Sequence, residues 1–286
     1  MKNNQYLGKQ AIAKKGWFLA NRFLILRRLS QLLILFLFLL GPLAGIWIIE
    51  GNLSSSLLLG IVPFTDPFVL TQSMASGHFP IFQAFLGVMI VVLFYLLVGG
   101  RVFCSWVCPV NLLTDAAAWC RRKLKLRKEK VLSRSWRYWI LAMVMIVPFF
   151  TGVMSWEMIN PVSAFHRGLF FGMGLGWILF VMIFLFDLLA VENGWCGHLC
   201  PVGAFYSLLN RFSFIKVDAI NREKCTDCLD CFDVCPEPEI LKGPVYGKMK
   251  NLTTLVKDIS CTNCGRCIDV CAEDVFVIST VVSGKK

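Results

Sequence analysis

Eight of the thirteen cysteines lie in two short runs near the C-terminus, and their spacing is typical of thiolate ligands to iron–sulfur clusters. Both runs have the spacing C-x2-C-x2-C-x3-C, and the first is followed by Pro236 and the second by Ala272. Zinc can also be bound by four thiolates, but its sites usually separate two C-x2-C pairs by a longer spacer. The pattern therefore predicts two [4Fe–4S] clusters and a role in electron transfer.

The fourth cysteine of each run is predicted to bind the cluster of the other run. In bacterial two-cluster ferredoxins, three thiolates lie on one tight loop around a cluster, and the fourth ligates the second cluster. The first predicted ligand set is Cys225, Cys228, Cys231 and Cys271, and the second is Cys261, Cys264, Cys267 and Cys235. We expect a small α+β ferredoxin domain with two [4Fe–4S] clusters over residues 216–286.

The rest of the chain is too apolar for an ordinary soluble domain, since the whole sequence is 57% hydrophobic with 24 Phe and 9 Trp. A helix must be long and apolar to cross a hydrocarbon core of about 30 Å. Such spans are predicted at residues 29–49, 80–98, 138–158 and 169–190. A signal peptide is the alternative for the first, but the stretch is long and no small-residue cleavage site follows it. We expect an all-α polytopic membrane domain of four transmembrane helices over residues 29–215.

The basic residues predict the orientation of these spans. Residues 1–28 contain seven Lys or Arg and no acid, residues 99–137 contain ten, and residues 50–79 contain none. Both termini and the central connection are therefore predicted to be cytoplasmic, in a bacterial inner membrane. The net charge of +11 is attributed to topology and lipid headgroup contact, and nucleic-acid binding is not expected. Because cytoplasmic thiols stay reduced, disulfides are not expected either.

Four further cysteines belong to a repeated C-x3-C-P motif, which occupies residues 104–109 and 196–201. An Asp-Pro or Asn-Pro pair precedes each copy, at residues 66–67 and 160–161. This predicts a duplicated two-helix unit. Two cysteines four residues apart share a helix face if the helix continues, and the proline would break or restart it. One hypothesis is that Cys104, Cys108, Cys196 and Cys200 bind a further metal or cluster; the alternatives are two redox dithiols or small buried residues. Cys120 is unpaired and is interpreted as structural.

Taken together, these features resemble the NapH family, the ferredoxin-type membrane subunits of the periplasmic nitrate reductase electron-transfer system. The resemblance covers nearly the whole chain: the basic N-terminus, the four predicted spans, both C-x3-C-P motifs and both terminal cysteine runs. It implies the electron-transfer component of a quinol dehydrogenase, which passes electrons from quinol towards the periplasmic nitrate reductase and has no independent catalytic motif. The implied partners are membrane lipid, quinol, a periplasmic ferredoxin-type subunit and a membrane-anchored multihaem cytochrome.

Quinol oxidation requires proton acceptors near the headgroup region. The candidates are Asp66 and His78 in the first periplasmic connection, and Glu157 and His166 near the second. The alternative for each is a solvated loop residue. Asp187 lies inside the fourth predicted span, where an acid suggests function, although a side chain near a helix end can also snorkel to the interface.

The route of electrons across the membrane is left open by the sequence. It contains no C-x-x-C-H haem motif, and its three histidines lie outside the predicted spans. Electrons could cross on cofactors of a partner or through the C-x3-C-P sites. Two further functions use the same clusters: a membrane metal reductase or assembly factor for a respiratory oxidase, and a redox-sensing regulator.

Overall fold

The computed structural model describes residues 7–126, 132–172, 174, 176–247 and 253–281. Residues 127–131 of the predicted basic connection therefore lie outside the described residues. The α-helices are α1 (Lys9–Lys15), α2 (Arg22–Ala44), α3 (Pro67–Ala75), α4 (Phe82–Val98), α5 (Val110–Lys123), α6 (Trp136–Thr151), α7 (Ser155–Ile159), α8 (Pro161–Phe171), α9 (Gly176–Leu189), α10 (Pro201–Asn210), α11 (Asp230–Val234), α12 (Lys242–Tyr246) and α13 (Arg266–Val270). The β-strands are β1 (Ile49–Gly51), β2 (Ser55–Leu58), β3 (Val62–Thr65), β4 (Ile215–Asp218) and β5 (Val277–Thr280).

The chain forms two compact units, and neither is a single continuous segment. The first consists of residues 1–30, 95–107 and 206–286, and the second of residues 31–94 and 108–205. Two stretches outside the predicted ferredoxin domain, the described residues 7–30 and residues 95–107, therefore pack with it.

The first unit contains an α+β domain at the position of the two cysteine runs. Strands β4 and β5 pair in an antiparallel register, with Ile215 opposite Thr280. The short helices α11 and α13 pack against each other. Buried apolar residues fill the space between these elements: Val217, Ala219, Ile240, Leu241, Val245, Val256, Ile268, Val275 and Phe276. The loops that carry the cysteines are thus held on one small core.

The basic N-terminal segment is bound to the ferredoxin domain, which the sequence analysis did not predict. Lys14 forms an ion pair with Glu273 at 2.6 Å, and Lys15 pairs with Asp274. The Asp269 carboxylate accepts hydrogen bonds from the backbone N–H groups at the start of α2, at 3.2 and 3.0 Å. An acid at a helix N-terminus is favourable because it satisfies orphan donors and the helix dipole. These two lysines, attributed to headgroup contact above, are instead paired with acids of the same unit.

Apolar helices occur at all four predicted spans, and most of their residues belong to the second unit. A 26-residue helical stretch from Leu19 to Ala44 is long and apolar enough to cross a membrane, and among the described helices it is the only one that meets this length criterion. The helices α4, α6 and α9 are apolar but shorter, with 17, 16 and 14 residues. Seventeen residues rise about 25 Å, which is at the lower limit for a span.

The surfaces of these helices are unusually apolar. Large side chains are exposed along each, for example Phe36 at 57%, Phe85 at 51%, Phe149 at 73% and Trp177 at 59%. Soluble monomers rarely expose contiguous apolar patches of this kind, which mark interaction or membrane surfaces.

The connection between α2 and α4 has its own structure, so the second unit is not all-α as predicted. Strands β1, β2 and β3 form an antiparallel sheet, with Glu50 opposite Leu57 and Ser56 opposite Phe64. Strand β3 packs on α4 so closely that a Cβ at Gly87 would lie 2.8 Å from the Thr65 hydroxyl. The predicted connection between the first two spans therefore contains a sheet packed against a helix.

The two Asx-Pro pairs start two equivalent helices, and this supports the predicted duplication. The Asp66 side chain accepts a hydrogen bond from the Phe68 N–H at 2.9 Å, and Asn160 accepts one from the Val162 N–H at 3.0 Å. Both are N-caps, and in both helices proline occupies the first position, where its missing N–H costs nothing. Helix α3 packs along α6, where the Gln72 amide donates to the carbonyl of Val144 at 3.2 Å. These helices are packed elements rather than solvated connections.

Candidate iron–sulfur sites

One cavity of the first unit is lined by the four cysteines Cys225, Cys228, Cys231 and Cys271. Three of them lie on the loop before α11 and on α11 itself, and the fourth follows α13. The loop turns tightly because Asp227 and Leu229 adopt left-handed conformations with φ of 54° and 66°. Three thiols of one run and the last thiol of the other therefore face one space.

A second cavity is lined by Cys235, Cys261, Cys264 and Cys267. The loop uses the same left-handed turn, here at Asn263 and Gly265. The positive φ of Gly265, 73°, is matched by Leu229 in the first run, but glycine is required at position 265 because a Cβ there would lie 2.3 Å from the Phe23 ring. Each cavity is therefore lined by three cysteines of one run and the fourth cysteine of the other, and the assignment of these cysteines as cluster ligands stays a prediction.

The chemistry of the two thiol sets fits a cluster better than free thiols. Burial raises the pKa of Cys231 to about 12 and that of Cys261 to about 11, and neighbouring cysteines add to both effects. Thiols with raised pKa values, such as these two, are poor nucleophiles, but iron binds them as thiolates. Within the described residues, no three His, Cys, Asp or Glu side chains are close enough to bind one metal ion. In a cubane each cysteine binds a different iron atom, so the sulfur atoms stand further apart than around a single ion.

Buried cations surround the second cavity. Arg101 is 2% exposed and donates to the carbonyl of Ser260 at 2.7 Å, next to Cys261. The positive charge of Arg27, which is also buried, helps to lower the pKa of Cys264. The positive charge of Lys216 opposes the rise in the pKa of Cys261 that burial causes. Sequence reasoning missed these residues because they lie far from the cysteine runs. The basic side chains that it read as topology signals include two of them, Arg27 and Arg101.

The first C-x3-C-P motif adjoins the loop of the second cavity. A π-helical turn covers Phe103–Val107, so Cys104 lies within it. The Ser105 hydroxyl donates to the carbonyl of Thr262 at 2.9 Å, and the Trp106 indole donates to that of Asn263 at 3.2 Å. The residues beside Cys104 are therefore bonded to the loop between Cys261 and Cys264.

The second motif has the same local structure. A π-helical turn covers Trp195–Leu199, and the N–H of Cys200 closes it on the carbonyl of Trp195 at 2.9 Å. The Asp187 carboxylate accepts a hydrogen bond from the Trp195 N–H at 2.8 Å, and Arg137 donates to the carbonyl of Gly197 at 3.2 Å. Single π turns are rare and often occur at functional sites. The sequence predicted cysteines on a continuing helix face, whereas each pair is instead held by a π turn that ends before the proline.

Asp187 does not snorkel to the interface. Its side chain is fully buried and positions the second C-x3-C-P motif through Trp195. Of the four cysteines of this motif, Cys104 belongs to the first unit, and Cys108, Cys196 and Cys200 belong to the second. A joint metal or cluster site of Cys104, Cys108, Cys196 and Cys200 stays a prediction. None of the thirteen cysteines forms a disulfide.

The four quinol candidates have different surroundings. Asp66 caps α3, and Glu157 is hydrogen-bonded to Ser163 and to the Asn160 amide. His78 is exposed and lies 3.2 Å from the Ser76 hydroxyl. His166 is buried, and its Nε2 has no hydrogen-bond partner among the described residues.

The ring of His166 lies between two aromatic side chains. Its centroid is 4.6 Å from that of Phe170 and 5.3 Å from that of Phe38. Burial lowers the pKa of His166, so the neutral imidazole is favoured. Of the four candidates, this one combines an apolar aromatic environment with an available proton acceptor.

Comparison with models of known protein families assigns these sites to a class of protein. A family model described as a 4Fe-4S dicluster domain matches residues 218–272, which contain both cysteine runs. A second model, described as a 4Fe-4S binding domain, matches residues 81–127 and again residues 173–217, so each copy of the C-x3-C-P repeat is matched once. Together with the two cysteine-lined cavities, these matches define a ferredoxin-type iron–sulfur protein.

Relatives identify the family. The ferredoxin-type protein NapH of Haemophilus influenzae is 50% identical over 256 residues, 89% of each chain. NapH of Escherichia coli is 49% identical over 273 residues, 96% of this chain and 94% of its own. The methylamine utilization ferredoxin-type protein MauN of Methylorubrum extorquens is 46% identical over 238 residues, 83% of each chain. No solved structure matches significantly. The chain belongs to the NapH family of ferredoxin-type proteins, and the predicted resemblance is confirmed.

Proposed function

We propose that this protein is a membrane iron–sulfur subunit that passes electrons from quinol towards the periplasmic nitrate reductase. The observation that carries the proposal is the pair of cavities lined by four cysteines each. The ligands of the first [4Fe–4S] cluster are Cys225, Cys228, Cys231 and Cys271. Those of the second are Cys261, Cys264, Cys267 and Cys235. When bound, such clusters accept and donate single electrons.

The proposal places the apolar helices in a bacterial inner membrane. Its support is the apolar helix from Leu19 to Ala44 and the exposed aromatic side chains on the shorter apolar helices. Four spans, with both termini in the cytoplasm, agree with the distribution of Lys and Arg in the sequence. The shorter helices are shorter than the hydrocarbon core is thick. The bilayer can accommodate this difference by thinning locally, and longer neighbouring helices can tilt to match it.

In this proposal quinol binds next to His166. The neutral imidazole accepts a quinol proton, while Phe38 and Phe170 provide flat apolar contacts for the ring. Asp66 and Glu157 position the starts of α3 and α8 and do not take the proton themselves. The C-x3-C-P cysteines are a candidate relay, because one family model for 4Fe-4S binding covers both copies.

The partners are proposed from the likeness to NapH: a periplasmic ferredoxin-type subunit and a membrane-anchored multihaem cytochrome. MauN proteins are nearly as similar as NapH, with 46% identity against 50%. The second candidate is therefore the same electron transfer to a methylamine utilization system.

Deleting the gene is expected to slow quinol-dependent nitrate reduction in the periplasm of the host, because the route from quinol to the reductase loses its clusters. The rate is measured with anaerobic cells or membrane vesicles given nitrate. Complementation with the wild-type chain should restore the rate, and a Cys228→Ser chain should not. Unchanged nitrate reduction together with defective growth on methylamine would favour the second candidate. A defect confined to oxidase assembly would contradict both.

A further inference from the structure

The balance of charged side chains differs between the two cysteine cavities: Arg266 and Glu237 line the second, whereas Asp227 and Glu273 line the first. Around the second cavity, the guanidinium groups of Arg27, Arg101 and Arg266 and the ammonium group of Lys216 act on the thiols. Around the first, the charged side chains that line the cavity are the carboxylates of Asp227 and Glu273. The two sites therefore offer different electrostatic environments to the same kind of cofactor.

The cations of the second site are held in place by the fold. Arg101 is anchored by its bond to the Ser260 carbonyl, and Arg27 is 1% exposed. The Lys216 ammonium donates to the carbonyl of Asn210 at 2.9 Å. Arg266 lines the cavity itself. Charges fixed in a buried region act more strongly than mobile surface charges, since little water or salt screens them.

Buried carboxylates are also present, and they oppose these cations. Glu237 lines the second cavity 3.5 Å from Arg101, and Asp269 and Asp258 accept backbone hydrogen bonds nearby. Around the second cavity the four cations Arg27, Arg101, Lys216 and Arg266 thus face three acids, whereas the charged residues that line the first cavity, Asp227 and Glu273, are both acids.

We propose that the two clusters are electrostatically inequivalent, and that the cluster of Cys235, Cys261, Cys264 and Cys267 has the higher reduction potential. This inference rests on the proposed cluster ligands. Reduction adds one negative charge to a cluster, so fixed cations favour the reduced form and a nearby carboxylate disfavours it. Arg27, Arg101, Lys216 and Arg266 tune the second cluster without touching any substrate, and Asp227 tunes the first.

The inequivalence has a consequence for electron distribution. Ser105 and Trp106 form hydrogen bonds to the loop of the second cluster. In the sequence these two residues lie between Cys104 and Cys108 of the first C-x3-C-P motif. An electron shared between the clusters rests mainly on the cluster next to Cys104. The other cluster, with its partly exposed Cys225 and Cys228, faces the outside of the first unit.

The test is an anaerobic redox titration of the full-length protein with both clusters loaded, followed by electron spin resonance. Two transitions are expected. Arg266→Gln should lower the midpoint potential of the upper transition. The expected effect is at least a tenfold change in the reduction equilibrium constant, which corresponds to about 59 mV for one electron. Arg266→Lys keeps the charge and should leave that potential nearly unchanged. Asp227→Asn should move the lower transition up.

Iron content is measured for every variant, and Arg101→Gln provides a second reading at the same cluster if Arg266→Gln does not load. The inference is overturned if wild type shows one common potential, if Arg266→Gln moves the lower transition, or if neither variant changes the gap. These outcomes are separate from failure of the proposed function. Absence of cluster iron in wild type would defeat the ligand proposal itself, and lack of reactivity with quinol would leave the titration valid.

Discussion

A Cys235→Ser/Cys264→Ser double variant is expected to keep one [4Fe–4S] cluster, whereas a Cys235→Ser/Cys231→Ser variant is expected to lose both. The reason is the crossed grouping of thiols: Cys235 shares a cavity with Cys264, and Cys231 shares one with Cys271. Removing two ligands of one cubane leaves the other intact. Removing one ligand from each damages both.

The measurement is iron and sulfide per protein, combined with the spin resonance of the reduced clusters. Cys120→Ser is the matched control, since Cys120 lines neither cavity, and it should keep all the iron. An arrangement with each cluster held by its own run predicts the reverse result for the two double variants. Because the two variants are expected to give opposite results under the two ligand assignments, the comparison does not depend on the stability of any single variant.

His166→Gln is expected to slow quinol oxidation by about 100-fold or more, which is the usual contribution of a general base. The amide cannot take up the quinol proton, whereas the buried imidazole can, because its Nε2 has no other partner among the described residues. Cluster content and reduction by dithionite should stay at wild-type levels. His78→Gln is the control, since that ring is exposed and already contacts a serine hydroxyl.

The rate should also depend on pH in a defined direction. Burial lowers the pKa of His166, so the neutral base is present at neutral pH and is lost only as the pH falls through that lowered value. Quinol oxidation by wild type is therefore expected to fall on acidification, and the residual rate of His166→Gln should lack this dependence. A wild-type rate in the His166→Gln variant would remove His166 from the quinol site.

The ligand groups and the main helices were accessible from sequence because they depend on short spacings. Three cysteines on a tight loop and one on the other run constrain each other within a few residues, and the left-handed turns at Asp227 and Asn263 follow the same local pattern. The apolar stretches likewise gave the positions of α2, α4, α6 and α9 from composition alone. The lengths of α4, α6 and α9 were overestimated, and α9, for example, begins at Gly176 and not near residue 169. Helix α2 begins earlier than predicted, at Arg22.

The contacts that were missed join residues far apart in the chain. Lys14 and Glu273 are separated by 259 positions, and Arg101 and Ser260 by 159. No periodicity or spacing encodes such pairs, so the N-terminal segment looked like a topology signal only. The sheet β1–β3 was missed because its short strands, such as Ser55–Leu58, lack a strict apolar–polar alternation.

The Asx-Pro pairs show an intermediate case. Their repetition was visible, and an Asp or Asn before proline is a known helix start. Because the pairs were interpreted only as features of the connections, the sequence did not distinguish among the four candidate proton acceptors. Only the structure separated Asp66, which caps a helix, from His166, which lies between aromatic rings.

The central claim is that quinol delivers electrons to the clusters of this protein. The most direct test is anaerobic rapid mixing of the cluster-loaded, full-length protein in liposomes with a reduced quinol, followed by freezing and electron spin resonance. Signals of reduced [4Fe–4S] clusters are expected to appear in wild type after mixing with quinol, and to appear more slowly in His166→Gln. Dithionite should reduce the clusters of both proteins fully. Clusters that dithionite reduces but quinol never does, even with the membrane partners added, would contradict this claim.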